Sequence, residues 1–526
     1  MVVLALALAV NSSAQGAPGD LDPVFGSGGL VTADFGGRSD FGLAVAIQSD
    51  GKIVTAGNSS TSSPFSLAFA VSRHNTDGTP DPAFGAGGTV LTSFGPVNAA
   101  AADVVVQPDG KIVAVGFAGG DFGVARYNAD GTLDAGFGAG GLVTTDFGGF
   151  DQANGVAVQP DDKIVVVGPL QGTVGMARYN PDGSLDSTFG TGGKVVTDAT
   201  PSGDGAFDVA VASGGKIVVG GGTGFGPFGT SDFLLLRYNI DGSLDSTFGS
   251  AGIVTTDFGG GEVAFAIGVG PDGKITAAGG TNTADPGNFA VARYDPNGSP
   301  DTSFGSGGQV TTDVGYGSTD TGFGVVVLPD GRAVVAGSTS STPSTSSFGV
   351  VRYTAAGAVD TTFGNGGRTT ASFGNPINNA FDIAAQADGK LVVAGGTADF
   401  SRRVSDFALA RFVGDPSAIE VVVDVKPESG DNVIPLPNGV IPVAILTTDA
   451  FDAASVDPAI VCFVHDCTEK HGTGHLEDVN RDGRPDLLLH YETEETEIAL
   501  GDTQACLSGK TYGGLAIHGC DRIATR

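Results

Sequence analysis

The chain has little positive charge and no long apolar stretch. It holds 26 Lys and Arg against 58 Asp and Glu, a formal net charge of −32 over 526 residues. Nucleic acid is bound through basic surfaces, so this charge balance excludes nucleic acid as a partner. A membrane-spanning helix needs about 18 consecutive apolar residues. No segment approaches that length, and we expect no membrane span.

Tryptophan is absent, and charged residues make up only 16% of the chain. The hydrophobic fraction of 40% is too high for a disordered acidic tail. Glycine is the residue in excess, with 87 copies that follow no three-residue period, which excludes collagen. So much glycine disfavours helices. The composition therefore predicts a turn-rich β protein with more than one domain.

Glutamate and cysteine are distributed unevenly. Residues 1–415 contain a single Glu, Glu262, whereas all four Cys and five of the six His follow residue 416. The sequence GDPSA at 414–418 is typical of a short linker. We therefore expect one domain over residues 21–413 and a second over 419–526.

Residues 1–14 resemble a secretory signal peptide. An apolar run of nine, Val2–Val10, is followed by small residues that suit a cleavage site, although the basic segment that normally precedes such a run is missing. We expect a secreted or cell-surface protein and a monomer.

Three phrases, exact or as close variants, recur seven times each, in fixed order. FGxGG begins at Phe25, Phe84, Phe137, Phe189, Phe248, Phe304 and Phe363. DGK has its basic residue at Lys52, Lys111, Lys163, Lys216, Lys274, Arg332 and Lys390. ARYNxDG has its Arg at Arg73, Arg126, Arg178, Arg237, Arg293, Arg352 and Arg411. Such repetition indicates one structural unit used seven times.

Each unit predicts four short strands. In the second unit these are Asp103–Gln107, Lys111–Gly116, Phe122–Asn128 and Leu142–Phe147, separated by Gly, Asp, Asn and Pro. Four strands repeated seven times favour an all-β fold, a seven-bladed β-propeller, over a solenoid. The chain opens with a lone fourth strand and ends its repeats on a third strand. We predict that Val31–Phe35 pairs with Phe407–Phe412 to close the ring and remove two open sheet edges.

Six of the seven repeated Arg precede an Asp in the phrase LD or a variant of it, and Asp22 and Arg411 are left over at the two ends of the repeats. We predict seven Arg–Asp pairs that join the third and fourth strands, because a guanidinium binds a carboxylate bidentately. The predicted pair across the closure is Arg411–Asp22. The alternative is a ring of Arg that binds anions. The seven repeated Phe are expected in the core between blades.

The phrases LDxxFGxGG, VTTDFGG, QPDGKIVVAG and ARYNxDG resemble the delta-60 repeat of large secreted bacterial proteins. The resemblance covers residues 21 to about 413 and implies a propeller fold at the cell surface, without a defined reaction. WD repeats, sialidase Asp boxes and quinone-dependent dehydrogenase propellers are excluded, because their motifs contain the Trp that this chain lacks.

The connections between the second and third strands vary most, and variable loops on a rigid scaffold are where binding usually occurs. Asp232, Asp285 and Asp399 are the acidic candidates in or beside these loops. Nothing in the sequence distinguishes them, and we assign no catalytic residue.

Residues 419–526 predict a small β-sandwich from four apolar runs, Ile419–Val425, Val440–Leu446, Leu487–Tyr491 and Thr496–Leu500. This region resembles an unnamed domain that is appended to secreted bacterial proteins and has no known activity.

The stretch DVNRDGRPD has the D-x-N-x-D-G spacing of calcium loops. Asp478, Asn480, Asp482 and Asp486 would supply side-chain oxygens and Arg484 its backbone carbonyl. Apolar residues follow instead of a helix, and Leu489 stands where an EF-hand has Glu. We expect a structural Ca²⁺ site, with a plain turn as the alternative.

The four Cys allow three disulfide connectivities. Export favours the two local pairs Cys462–Cys467 and Cys506–Cys520. Zinc is the alternative, because Cys462, Cys467, His465, His471 and His475 lie close together in sequence.

The expected function is that of a surface binding or adhesion module for an extracellular glycan or protein. The alternative is a polysaccharide lyase or hydrolase that uses the propeller channel.

Overall fold

The computed structural model describes the chain except for residues 1–15, 37–38, 61–66, 225–230, 282–286, 316, 318, 343, 403, 416–418, 428–431, 437–438, 449–450, 465–473, 497 and 511–515. The chain divides into two compact units, Met1–Gly414 and Asp415–Arg526.

The first unit consists of short antiparallel strands. Its first half contains β1 (Leu30–Ala33), β2 (Asp40–Ile47), β3 (Ile53–Ser60), β4 (Leu67–His74), β5 (Thr89–Thr92), β6 (Ala99–Val106), β7 (Ile112–Ala118), β8 (Asp121–Tyr127), β9 (Leu142–Thr145), β10 (Gly155–Val158), β11 (Ile164–Leu170), β12 (Thr173–Tyr179) and β13 (Lys194–Thr197). Its second half contains β14 (Asp204–Val211), β15 (Ile217–Thr223), β16 (Phe233–Tyr238), β17 (Ile253–Thr256), β18 (Glu262–Val269), β19 (Ile275–Thr281), β20 (Asn288–Tyr294), β21 (Gln309–Thr312), β22 (Thr319–Val327), β23 (Ala333–Thr342), β24 (Thr345–Tyr353), β25 (Arg368–Ala371), β26 (Ile377–Ala385), β27 (Leu391–Asp399) and β28 (Val404–Phe412), with a short 3₁₀ turn at Ser213–Gly215.

These strands form seven four-stranded sheets. Six blades are four consecutive strands each, beginning with β2-β3-β4-β5, and the seventh has the order β26-β27-β28-β1. The innermost strand of each blade packs against that of the next, and β26 packs against β2. The predicted seven-bladed propeller is confirmed.

The ring closes where the sequence predicts. Strand β1 pairs antiparallel with β28, with Val31 opposite Leu409 and Ala33 opposite Phe407. Asp22 precedes β1, and its carboxylate accepts a hydrogen bond from the Arg411 guanidinium on β28. Blade seven is therefore built from two segments that are far apart in the sequence.

Blades meet through the turn glycines. Gly131 has φ +85°, and a Cβ at this position would lie 3.0 Å from the ring of Phe84 in the preceding blade. The Gly85 N–H also donates to the Asp130 carbonyl at 2.8 Å. Glycine is required here both for the left-handed conformation and for the close approach. The seven repeated Phe are fully buried, as expected of residues in the core.

The second unit contains β29 (Ile419–Glu420), β30 (Val422–Val425), β31 (Val433–Ile434), β32 (Val440–Leu446), β33 (Cys462–Phe463), β34 (His475–Glu477), β35 (Asp486–Glu492), β36 (Gln504–Lys510), β37 (Ala516–Arg522) and β38 (Ala524–Thr525), with 3₁₀ turns at Ala453–Ser455, Pro458–Ile460 and Thr493–Glu495.

Two four-stranded sheets, β29-β37-β36-β33 and β30-β32-β35-β34, enclose a single hydrophobic core. This is the predicted sandwich. One predicted strand is wrong: Thr496–Leu500 follows a 3₁₀ turn and forms no strand in its described residues, because the Thr496 hydroxyl bonds back to the Thr493 carbonyl and the Ala499 N–H is held by Asp502.

Candidate functional site

The rim of the propeller carries the repeated charges. All seven predicted Arg–Asp pairs form, with Nε–Oδ2 distances of 2.7 to 2.9 Å. Each guanidinium also lies over the repeated Phe of its own blade, 4.3 to 4.8 Å from the ring centroid. Several reach the neighbouring blade, as where Arg73 donates to the Ala129 carbonyl.

The repeated Lys or Arg of the DGK phrase approaches the same Asp. The distances range from 2.9 Å for Lys216–Asp245 to 3.9 Å for Lys111–Asp134. Sequence reasoning noted this basic residue without giving it a partner. Each rim Asp thus contacts two cations.

These contacts stabilise the ionised form of the rim carboxylates. Burial opposes the ionised form of Asp186, but the hydroxyl and N–H of Thr188 together with Arg178 outweigh it and lower the pKa. Asp245 and Asp301 have lowered pKa values for similar reasons. Each Arg contacts a carboxylate and an aromatic face, as expected of a structural joint.

The central channel is lined through a bulge in the innermost strand. In blades one, two and four to seven, the pairing of the first two strands shifts by one residue, and the extra residue is Leu43, Ala102, Phe207, Phe265, Phe323 or Phe381. A bulge turns a side chain away from the regular alternation. Here the turned residues line one cavity of about 380 Å³, together with Gln152 and Asn154 of blade three.

The residue after the bulge is Asp in three blades. Asp103, Asp208 and Asp382 each accept the N–H of the next residue in the same strand at 2.7 Å. Their second oxygens accept an N–H from the following blade, at Val156, Ile267 and Val45, at 2.7 to 2.8 Å. These carboxylates therefore join blades two to three, four to five and seven to one.

The other blades have Gly or Ala at this position. A Cβ on Gly155 would lie 2.9 Å from the Asp208 backbone, and one on Gly324 would lie 2.8 Å from that of Asp382. The next blade thus crowds the position wherever a Gly is found. Crowding explains why blades three and six, which have Gly155 and Gly324 here, carry no Asp.

The channel carboxylates have raised pKa values. Burial in the channel raises the pKa of Asp208 to about 6 and that of Asp382 to about 7. The pKa of Asp103 is raised well above its usual range, first by burial and then by the charges of Asp208 and Asp382. Among the described residues, backbone amides are the groups that compensate these charges, and they do not offset the effect of burial, which shifts the equilibrium toward the protonated form.

An aromatic arc forms one wall of the cavity. The rings of Phe207, Phe265, Phe323 and Phe381 follow one another at centroid distances of 5.0, 4.9 and 5.4 Å. The opposite wall is built from Leu43, Ala102, Gln152 and Asn154. One side of the channel is therefore apolar and bulky, and the other is smaller and partly polar.

This channel site was missed by sequence reasoning. Its signal is the Asp in AADVVV, AFDVAV and AFDIAA, three blades that depart from the others at a single position. The Phe before that Asp recurs in blades four to seven at Phe207, Phe265, Phe323 and Phe381. Aligning the seven repeats and looking for positions at which some blades differ from the others would have identified both the Asp and the Phe.

Asp232 and Asp399, two of the acidic candidates from the variable loops, lie in different blades. Asp232 lies near Asp257 and Glu262, with ligand atoms within 4.8 Å of one another. Asp399 is a turn residue that accepts the Ser401 N–H at 2.9 Å and pairs with Arg402. Asp285 lies outside the described residues, as do residues 1–14 and 416–418 of the predicted signal peptide and linker.

The DVNRDGRPD loop folds around its own amides. Asp478 Oδ1 and Asn480 Oδ1 both accept the Asp482 N–H at 3.0 Å, and Asp482 Oδ1 accepts the Arg484 N–H at 2.9 Å. Asp486 is fully buried and accepts the N–H groups of Thr447 and Val479. The first three side chains are brought together, whereas Asp486 anchors the loop to the sheet.

Cys506 and Cys520 form a disulfide between directly opposed residues of β36 and β37. Cys462 is also disulfide-bonded. The expected partner Cys467 lies outside the described residues, as do His465 and His471 of the zinc alternative. His475 stacks on His490 with a centroid distance of 5.4 Å.

Among the described residues, no helix is long and apolar enough to cross a membrane. No curated protein matches the chain.

Solved structures with distant similarity include a catalytically inactive virginiamycin B lyase from Staphylococcus aureus with quinupristin (10% identity, 72% of this chain, 98% of that chain, TM-score 0.45). Another is PorZ, a surface component of the type-IX secretion system of Porphyromonas gingivalis (13% identity, 92% of this chain, 59% of that chain, TM-score 0.41). A third is Drosophila Plexin A in complex with Semaphorin 1b (9% identity, 75% of this chain, 88% of that chain, TM-score 0.39).

A family model described as a domain of unknown function, DUF5122, beta-propeller, matches seven segments, residues 48–84, 107–137, 159–189, 213–248, 270–304, 328–363 and 386–415. One match falls in each blade. With seven four-stranded sheets and one match to this family model in each blade, the chain is a β-propeller repeat protein.

Proposed function

We propose that the propeller is a binding module that takes a carbohydrate in its central channel. The observation that carries this proposal is the two-sided cavity, with four Phe on one wall and the amides of Gln152 and Asn154 on the other. Its volume of about 380 Å³ falls in the range of small-ligand pockets. A sugar ring has an apolar face for the aromatic wall and hydroxyls for the amides.

Polar groups in the second wall are positioned by the scaffold. Gln152 donates to Asn154 Oδ1 at 2.9 Å, and Asn154 donates to the Ala206 carbonyl at 3.1 Å. Among the described residues, the Gln152 side-chain carbonyl and the second Nδ2 proton of Asn154 make no hydrogen bond, which leaves them for a ligand. Rigid positioning of a few polar groups favours selective binding, because less side-chain entropy is lost on association.

Binding is favoured over catalysis by the state of the carboxylates. Both oxygens of Asp103, Asp208 and Asp382 accept backbone N–H groups, so they are engaged in joining blades. A lyase or hydrolase is the second candidate. It is favoured by the pKa of Asp208 near 6 and of Asp382 near 7, since an acid–base catalyst works best when its pKa is near the working pH.

The test is a glycan array probed with the full chain and with Ala102→Phe. This variant adds to blade two the residue that blades four to seven carry at the same position, and it fills the channel. We expect the bound glycans to lose at least tenfold in affinity. Phe150→Ala is the matched control, because this Phe is 60% exposed and does not line the cavity. It should bind as the parent does.

Equal binding by parent and Ala102→Phe would overturn the channel as the site. Product formation from a bound glycan, lost in Asp208→Asn, would favour the second candidate instead.

We further propose that the protein works outside the cytoplasm. The Cys506–Cys520 disulfide supports this, because structural disulfides persist in oxidising compartments. The apolar start of the sequence supports export.

We also propose that the DVNRDGRPD loop binds Ca²⁺ to stabilise the second unit. The supporting observation is that the side-chain oxygens of Asp478 and Asn480 lie within 3.0 Å of one atom, the Asp482 nitrogen, so two hard ligands already converge. Isothermal titration of the full chain with Ca²⁺ should give a binding component that disappears in Asp478→Asn/Asp482→Asn. If that binding component persisted in the double variant, the proposal would be contradicted.

A further inference from the structure

Three positions meet at every junction between blades, on the face opposite the DGK turns. They are the residue that follows the outer strand, the residue just before the partner of that strand's last residue, and a residue at or shortly before the start of the next innermost strand. In three junctions all three are acidic and their ligand atoms lie within 4.8 Å of one another, namely Asp34, Asp40 and Asp406; Asp121, Asp146 and Asp151; and Asp232, Asp257 and Glu262.

The first of these groups, which we term the seam triad, lies where the ring closes. Asp34 follows β1, Asp406 lies on β28, and Asp40 begins β2. The three side chains thus come from the N-terminal strand, the last blade and the first blade. Asp34 is exposed, Asp406 is partly exposed and Asp40 is buried, so solvent reaches the group at Asp34 and Asp406.

Asp40 has an oxygen without a partner. Its side chain is 0% exposed, and Oδ2 accepts the Phe35 N–H at 2.9 Å. Oδ1 is buried and has no hydrogen-bond partner among the described residues. The Ser59 hydroxyl is near enough to favour ionisation, but it too makes no hydrogen bond of normal geometry. A buried carboxylate oxygen left in this way costs free energy unless another group binds it.

The three carboxylates of the seam triad repel one another. The pKa of Asp406 is raised by burial and by the charges of Asp34 and Asp40. The junction of blades two and three differs, because Lys194 donates to the Asp146 carbonyl there and favours the ionised form of Asp121. One acidic junction therefore has a built-in cation nearby.

We propose that the seam triad binds a hard divalent cation, Ca²⁺, which links the three strands that close the ring. Three carboxylates supply the hard oxygen ligands that Ca²⁺ prefers, and water on the open side completes its shell. The cation satisfies Asp40 Oδ1 and removes the repulsion among the three charges. With three protein carboxylates and an open side, the dissociation constant should be on the order of 10⁻⁴–10⁻³ M.

The test uses the full chain in the Asp478→Asn/Asp482→Asn background, which silences the loop of the second unit. The probe is Ca²⁺, with Mg²⁺ as a second arm, and the readouts are the thermal unfolding midpoint and isothermal titration. The seam variant is Asp406→Asn, which copies Asn288 at the same position of the junction between blades five and six. Asp109→Asn, in a turn at the opposite face, is the control for loss of one charge.

We expect Asp406→Asn to raise the midpoint without Ca²⁺, because repulsion falls, and to lose at least tenfold in affinity for the seam component. Asp109→Asn should keep the Ca²⁺ response. A Ca²⁺ response unchanged by Asp406→Asn, or a midpoint that falls without Ca²⁺, would overturn the proposal.

Arg38 and Arg403 are the basic residues nearest in sequence to the triad. If the background chain gains Ca²⁺ binding only after Arg38→Gln/Arg403→Gln, a guanidinium fills the site and the proposal fails.

Discussion

The rim and the channel of the propeller both use aspartate to join blades, but they hold its charge in opposite ways. At the rim, Asp186 contacts Arg178 and Lys163, and its pKa is lowered. In the channel, Asp208 is held by two backbone amides, and its pKa is raised. The same residue type therefore makes a permanent ion pair in one region and a titratable joint in the other.

The difference explains why one joint is present in all blades and the other in three. A compensated ion pair can be repeated without accumulating charge. Uncompensated carboxylates repel one another across the channel, and Asp208 and Asp382 already raise the pKa of Asp103. Further Asp residues at this channel position would increase the electrostatic repulsion.

The largest expected effect comes from breaking the rim. Arg178→Ala should lower the stability of the propeller by about 3–5 kcal/mol, because Asp186 is left buried without its main partner. Urea unfolding followed by tyrosine fluorescence measures the change. A loss below about 1 kcal/mol would mean that the rim pairs contribute little and that the contrast between the two regions is wrong.

A smaller effect is expected from the pH dependence of the channel. The raised pKa of Asp208 means that its protonated form is favoured by folding, so this contribution is present below pH 4 and is lost as the pH rises through about 6. The lowered pKa of Asp186 has the opposite consequence, since its contribution is lost as the pH falls below its usual value near 3.8.

Asp208→Asn should therefore remove about 1 kcal/mol of the loss in stability between pH 5 and pH 7.5, a figure reduced because the side chain is partly exposed to the channel. Thermal unfolding midpoints of parent and variant across this range provide the measurement. A parent chain that gains stability between pH 5 and pH 7.5 would contradict the assignment.

The smallest effect is expected at the second rim cation. Lys163→Met should cost about 0.2–1 kcal/mol, because Lys163 is partly exposed and Asp186 keeps Arg178. The same urea measurement applies, with Arg178→Ala as the reference. A cost equal to that of Arg178→Ala would show that the two cations act as one unit.

The rim could be predicted from the sequence because it is repeated. Arg178 and Asp186 recur at the same spacing in six units, and the leftover pair Arg411–Asp22 identified the closure. Repetition separates a structural residue from the background of a single sequence.

The channel could not be predicted in the same way, since its position depends on a bulge. The first strand of blade two was predicted to start at Asp103, but it starts at Ala99 and shifts register at Ala102. A one-residue shift reverses which side chains face inward. The small residues Ala99–Ala102 give no alternating pattern that would reveal this shift.

The composite seventh blade also sets an order of events during synthesis. Strand β1 has no partner until β28 emerges roughly 370 residues later, which at 5–20 residues per second takes roughly 20–75 s. Throughout that interval the nascent chain presents an unpaired β1. The propeller is thus complete only when its earliest and latest strands meet, and an interrupted translation product that ends before β28 would retain an exposed strand open to pairing with another chain.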